Sequence, residues 1–258
     1  MSTLVVEKIP ALEAMKKYPK TLFFKGDLDL LQRPKVSIVG TRRPSNYTRQ
    51  FTYSLAKALA ARGVCVVSGA AMGVDTIAHE GAGEDNTIAV VANGLNIRYP
   101  ALNKNLIEEI ENKGLVLSQF NDSFRATGWS FVVRNELVVA LGDILIVTEA
   151  ALDSGSMRSV EYALKMGKEI FVLPQRLDES LGTNALLNEA KATAIHNIET
   201  FVSRFGKAVQ SSVEKDDFFY FCQTIPTFDE SLKKFGDRVY EAELEGIITI
   251  QNGIVRLS

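Results

Sequence analysis

Six short apolar runs recur through the first two thirds of this chain, at residues 36–39, 64–67, 87–91, 115–117, 143–147 and 169–173. Each is too short for a buried helix and is rich in Val, Ile and Leu. Between them, residues 45–62, 76–82, 102–112, 131–141 and 157–166 carry apolar side chains at helical spacing, as Phe51, Leu55, Ala58 and Leu59 do in the first. A strand with no polar side has no face to give to water. Alternation of such strands with amphipathic helices therefore requires a mostly parallel sheet covered on both faces. The expected class is α/β, with a doubly wound, Rossmann-like sheet.

The first strand–turn–helix is the most informative. Val36 to Val39 ends at Gly40, and Thr41, Arg42, Arg43 and Pro44 follow. Pro44 suits the first turn of the next helix. In an open parallel sheet this turn lies at the carboxyl edge, where ligands bind. Helix N-terminal N–H groups donate to a phosphate there, and arginine adds planar multidentate donors. The other strand ends carry similar small or polar residues: Ser68-Gly69, Asn93-Gly94 and Ser154-Gly155-Ser156. One glycine turn means little, but four on one edge would line a crevice with backbone amides, an anion nest. Ser154 or Ser156 also serves as a plain helix cap. Trp129 and Phe131, which follow Gly128, are either core residues or platforms for an unpaired base. Arg134 and Asn135 suit a phosphate, a pairing with Asp75, or a solvated helix face.

Residues 1–33 read as a lead-in that covers a sheet edge. Residues 34–206 read as the Rossmann-like domain and 207–215 as a polar linker. Residues 216–258 read as a small winged-helix-like domain of three short helices and a hairpin, turned at Asn252-Gly253. Net charge over the 258 residues is -2, which neither advertises nor excludes a nucleic-acid partner, since a local patch decides phosphate affinity. From Lys207 onward 6 basic residues face 9 acidic ones, a net of -3, so the tail is a poor phosphate grip.

Chemistry is poorly represented. No Gly-x-Ser-x-Gly elbow, no Gly-x-x-x-x-Gly-Lys-Ser/Thr loop and no Gly-x-Gly-x-x-Gly at the first turn occurs, so neither an enzyme nor a cofactor is expected. Asp75 and His79 stand one helical turn apart, more as a helix-start acid and its neighbour than as an acid/base dyad. Two histidines and two cysteines, Cys65 and Cys222 in apolar surroundings, make neither a metal site nor a disulfide framework. No signal-peptide core or membrane-length run is present, and a soluble cytoplasmic protein is expected.

The chain resembles the bacterial DNA-processing protein A family (DprA, also called Smf). The resemblance rests on residues 36–43 with Tyr47, on 66–69, on Gly73-Val74-Asp75 with Ala78-His79, and on 87–90. It continues in Tyr99-Pro100, Phe131 with Arg134-Asn135, Ser154-Gly155-Ser156 and 171–174. It covers nearly the whole chain and is greatest to the epsilonproteobacterial members. It implies an extended Rossmann sheet with a C-terminal winged-helix-like domain. It also implies single-stranded DNA binding, a homodimer, RecA loading and a part in natural transformation, without chemistry. By the resemblance, Arg42 and Arg43 match the phosphate-holding arginine region, Gly94 a small-residue position in the DNA pocket, and Phe131 the base-stacking aromatic. Close relatives carry a lysine three residues before that aromatic, where this chain has Gly128. Either Arg125 substitutes, or binding is weaker with a shallower salt slope, and Trp129 offers adjacent stacking.

The candidate DNA-binding residues are thus Arg42, Arg43, Ser68, Gly69, Gly94, Gly128, Trp129, Phe131, Asn135, Ser154, Gly155 and Ser156. Two alternatives stand beside this reading. One is a nucleoside-monophosphate phosphoribohydrolase-like enzyme, against which Arg158 and Ser159 replace that family's glutamates. The other is a nucleotide sensor.

Overall fold

The computed structural model describes residues 3–5, 7–206 and 217–257, so the linker expected at 207–215 lies outside the described residues. The chain divides into two compact units, Met1–Ala208 and Val209–Ser258. In the first unit, β1 (Thr3–Leu4), β2 (Phe23–Gly26), β3 (Lys35–Val39), β4 (Cys65–Ser68), β5 (Thr87–Val91), β6 (Leu115–Ser118), β7 (Ile144–Val147), β8 (Ile170–Val172) and β9 (Thr193–Ala194) form one nine-stranded sheet. Its order is β1-β2-β6-β5-β4-β3-β7-β8-β9. All pairings from β6 across to β9 are parallel. The connecting helices are α1 (Asn46–Ala60), α2 (Val74–Ala82), α3 (Lys104–Lys113), α4 (Gly128–Leu141), α5 (Gly155–Lys165), α6 (Leu181–Asn188) and α7 (Ile198–Val202).

The chain winds outward from β3 through β4 and β5 to β6, then returns to place β7 on the other side of β3. That reversal is the topological switch point, where connections leave in opposite directions and open a crevice. Alternation along the strands divides the core between the two faces. Val36 and Ile38 pack with Leu55 and Leu59 of α1 and Val74 and Ala78 of α2. Val39, Cys65 and Val67 belong instead with Leu137, Val138 and Leu141 of α4 and Val160 of α5. Burying each such Leu or Val side chain contributes ~1.5–3 kcal/mol. Ser37, a polar residue in the middle of β3, donates its hydroxyl to the Val138 carbonyl at 2.7 Å. Burial pushes the Cys65 thiol up to about 12, which keeps it protonated and inert. The doubly wound α/β expectation holds.

The lead-in enters the sheet rather than only covering it. β2 pairs antiparallel with β6, Phe23 opposite Ser118 and Lys25 opposite Val116, and β1 pairs with β2. The open edge of β6 needs backbone partners, and β2 supplies them. Two single-turn 3-10 helices, Pro10–Ala14 and Leu28–Gln32, drop Leu12 and Leu30 into the main core.

Helix starts depart from the expectation where a cap intervenes. Pro44 precedes the cap instead of opening the helix, because the Ser45 hydroxyl accepts the Thr48 N–H and α1 begins at Asn46. α4 begins three residues before Phe131, because Thr127 and Ser130 form a reciprocal capping box.

The second unit contains α8 (Asp217–Cys222), α9 (Phe228–Phe235), α10 (Arg238–Leu244) and a hairpin of β10 (Ile248–Gln251) and β11 (Ile254–Leu257). Asn252 and Gly253 both have positive φ, 53° and 74°, as a two-residue hairpin turn requires. Phe218, Cys222, Val239, Ala242, Ile248 and Val255 form its core. Three helices and a wing-like hairpin are the arrangement expected. No helix among the described residues is long and apolar enough to cross a membrane.

Candidate nucleic-acid interface

A cavity of about 430 Å³ lies by the switch point, at the carboxyl ends of β3 and β4 and beside α4 and α5. Three segments build most of its wall: the turn after β3, the first turns of α4, and the start of α5. Arg42 lies at the rim, exposed, with its guanidinium carbon 5.3 Å from the centroid of the Phe131 ring. Neither Arg42 nor Arg43 forms an ion pair with a carboxylate among the described residues. Their charge is available to a ligand. Arg43 is exposed but is not part of the cavity wall.

Glu149, two residues beyond β7, shapes this arginine turn. Its backbone carbonyl accepts the Thr41 N–H at 2.8 Å. Its carboxylate accepts the Ser45 N–H at 3.0 Å and the Ser45 hydroxyl at 2.9 Å. The turn is therefore held at both ends, and its arginines project from a fixed frame. Sequence reasoning missed Glu149, although a carboxylate just past a strand end on the ligand edge is a visible signal.

Beneath the rim lie a buried arginine and, near it, a buried carboxyl group. Arg134 is 4% exposed, not solvated, and donates to the Val90 carbonyl at 2.7 Å and to the Gly69 carbonyl. Its Nε donates to Asn135 Oδ1 at 3.2 Å. Burial lowers its pKa and nearby Asp75 opposes that, so the guanidinium stays charged. Asp75 accepts the Ala71 N–H at 3.2 Å, and burial raises its pKa against the pull of Arg134. Gly69 is what admits this pair: a Cβ there would lie 2.0 Å from an Arg134 nitrogen and 2.6 Å from an Asp75 oxygen. Gly73, at φ 82°, likewise lets the start of α2 approach the carbonyls of Thr41 and Arg42.

His79 takes no part. Its Nδ1 lies 2.6 Å from Thr87 Oγ1, whose proton goes to the Val66 carbonyl, so the imidazole nitrogen is the donor. Burial pushes its pKa down to about 3, and it stays neutral. Among the described residues no group of three or more His, Cys, Asp or Glu is placed to hold a metal.

The α5 edge is open to an anion. Ser154 occupies the cap position but makes no capping bond, and its buried hydroxyl has no partner. The first amides of α5 are thus not satisfied by a side chain, in contrast to those of α1 and α4. Asn135 ties α4 to this turn by donating to the Gly155 carbonyl at 3.3 Å. Ser154, Gly155 and Ser156 all line the cavity beside Arg42, Phe131 and Asn135.

Besides Arg43, four candidates fall outside the cavity wall. Ser68 is fully buried and donates to the Ile38 carbonyl at 2.7 Å, so it braces β4 against β3. Gly94 is buried and gives its N–H to the Phe124 carbonyl at 2.8 Å, because the loop at 121–124 closes over the end of β5. Only three of the four glycine-rich turns therefore border the open crevice. Gly128, the first residue of α4, is exposed with nothing within 4 Å of a would-be Cβ. Trp129 is 61% exposed and packs edge-on against Phe120 and Phe124, at 5.7 and 6.2 Å. It stands two residues from Phe131, about 200° round the helix, and outside the cavity wall. Arg125 is exposed in the preceding loop.

Comparison with known proteins gives the family. A sequence profile of the family described as DNA recombination-mediator protein A matches residues 5–206. The chain belongs to this family. The structure of DNA processing protein A from Helicobacter pylori, solved to explain that protein's single-stranded DNA binding mode, is 44% identical, with a TM-score of 0.77. The match covers 79% of this chain and 95% of that one. The DprA structure from Streptococcus pneumoniae is 32% identical, TM-score 0.73, over 80% of this chain and 75% of that one. Among curated relatives, DprA of Bacillus subtilis is 33% identical over 192 residues, 73% of this chain. The chain spans 65% of that relative and 62% of the pneumococcal DprA sequence. The recombination-mediator profile ends at residue 206, before the second unit's described residues begin.

Proposed function

We propose that this chain binds single-stranded DNA with little regard to sequence, and acts as a recombination mediator that loads RecA onto incoming strands in natural transformation. The observation that carries the reading is Arg42, in no ion pair with a carboxylate among the described residues and set over Phe131 at the mouth of a cavity lined by the start of α5. A cation and a π-face side by side suit a polymer whose repeat is a phosphate and a base. The guanidinium neutralises the phosphate and the ring accepts any base, because every base has a π-face. Buried Arg134 adds positive potential from below, partly offset by Asp75. The family's recombination role and the Helicobacter pylori relative's single-strand binding support the same reading.

The site binds and does no chemistry. Asp75 is the one carboxylate in the cavity wall among the described residues, and it is engaged by Ala71 beside Arg134. A homodimer would place two such cavities on one strand and raise apparent affinity by linkage. The second unit, with the -3 tail, takes a protein-contact or regulatory role.

The test is a salt titration of oligo-dT and duplex binding by the wild type and Arg42→Ala. Single strands bind preferentially, and the variant's log–log salt slope is shallower by about 0.7, one phosphate contact. Equal slopes for both proteins refute the assignment of Arg42. Incubation with AMP in parallel leaves the nucleotide intact, and release of adenine would favour the phosphoribohydrolase-like alternative.

A further inference from the structure

Phe131 shares the rim with a second ring. Tyr99 is 50% exposed, and its ring centroid lies 6.1 Å from that of Phe131, with the planes tilted by 48°. The two rings, with Arg42 and the 43%-exposed Met72, line a small notch beside the main cavity. The floor of that notch includes Ala70, whose φ of 56° is a left-handed conformation that side-chain-bearing residues seldom take. Buried Asn103 holds the Ala70 carbonyl at 3.0 Å and so maintains that turn. Strain of this kind is kept where a surface must have a particular shape. A half-exposed aromatic over a strained turn, next to the cation and ring already described, is shaped for a planar ligand.

We propose that Tyr99 is the stacking platform for the nucleobase adjacent to the one on Phe131. The inference rests on the single-strand reading above and adds a second base site to it. Trp129 does not fill this place, since it lies on another side of α4 and packs on Phe120 and Phe124. The ring geometry also says how the strand is held. Bases lying parallel to their own rings are tilted from each other and sit farther apart than the roughly 3.4 Å step of a stacked strand. The two nucleotides are therefore bound unstacked from each other. A pyrimidine run gives up less stacking than a purine run, so oligo-dT binds more tightly than oligo-dA.

The experiment measures binding of fluorescent oligo-dT and oligo-dA to the full chain, wild type and variants. Tyr99→Leu, and Tyr99→Gln as a polar half-exposed substitute, each weaken oligo-dT binding about five- to hundredfold. Tyr99→Phe binds within about twofold of wild type, since the ring suffices. Phe131→Ala reports on the parent reading. Should Phe131→Ala lose affinity while Tyr99→Leu and Tyr99→Gln keep it, the second platform is overturned and the single-strand reading stands. Should Tyr99→Phe fall as far as Tyr99→Leu, the ring is not the contact and the inference is likewise overturned. Should Phe131→Ala and both ringless Tyr99 variants bind like wild type, the single-strand reading of this rim fails with it.

Discussion

Gly128 offers a gain-of-binding experiment. It is the first residue of α4, is exposed, and has no atom within 4 Å of the position a Cβ would take. Lysine there costs no repacking. Replacing glycine in a helix recovers up to ~1 kcal/mol of backbone entropy, less at a terminal position. A cation beside the helix N-terminus costs about 0.3–1 kcal/mol through the macrodipole. These cancel, so Gly128→Lys keeps the wild-type midpoint in urea. Binding changes more. One added phosphate contact makes the single-strand salt slope steeper by about 0.7. Over the fourfold range from 50 to 200 mM salt, the variant's advantage over wild type therefore shrinks by roughly 2.6-fold. Fluorescence anisotropy with oligo-dT across that range measures both quantities. Arg125→Ala in the same series asks whether that loop cation already makes the contact. If it does, the single variant loses about 0.7 of slope and Gly128→Lys restores it. A folded Gly128→Lys protein whose slope equals that of wild type would refute the reasoning that places the strand along the start of α4.

Three further outcomes are expected. Gly69→Ala drives a methyl group into Arg134 and Asp75, and that overpacking destabilises the fold by about 1–3 kcal/mol, measurable by urea denaturation. His79 has a folded pKa of about 3 against an ordinary 6.5, so the unfolded chain binds the extra proton. Stability attributable to it is complete above pH 6.5 and falls by several kcal/mol as pH drops toward 3, and His79→Gln flattens that limb in pH-dependent melts. Glu149→Ala removes the acceptor of the Ser45 N–H and hydroxyl, frees the arginine turn, and lowers oligo-dT affinity, whereas Glu149→Gln retains one acceptor oxygen and most of the binding. Equal affinity for Glu149→Ala and wild type would show that the turn needs no clamp.

The second unit behaves as a separate question. It has its own core of Phe218, Val239 and Val255, and its sequence is acidic on balance. Single-strand binding by a chain ending near Gly206 measures its share directly, and retention of most affinity is the expected result.

Local pattern made the architecture legible. An apolar run with no polar side must be a buried strand, and a run alternating with helices must be a parallel one, so β3 to β8 and their helices could be read from periodicity. The cation-bearing turn after β3 was equally plain, because Gly40-Thr41-Arg42 adjoins a strand end. The lead-in strands were not, since β2 becomes a strand only by meeting the unpaired edge of β6. The roles of the individual site residues depended on distant partners. Arg134 looks like a surface arginine until the Val90 and Gly69 carbonyls, 44 and 65 residues away, take it inside. Gly94 looks like an open turn until the loop at 121–124 covers it. Trp129 and Phe131 are near neighbours in the chain, yet helical rotation sends them to different surfaces, while Tyr99, 32 positions from Phe131 by numbering, arrives beside it. Short-range order is encoded in the spacing of apolar and capping residues and so belongs to the sequence. Which side chain faces the crevice is a matter of what long-range packing leaves uncovered, and that only the tertiary structure decided.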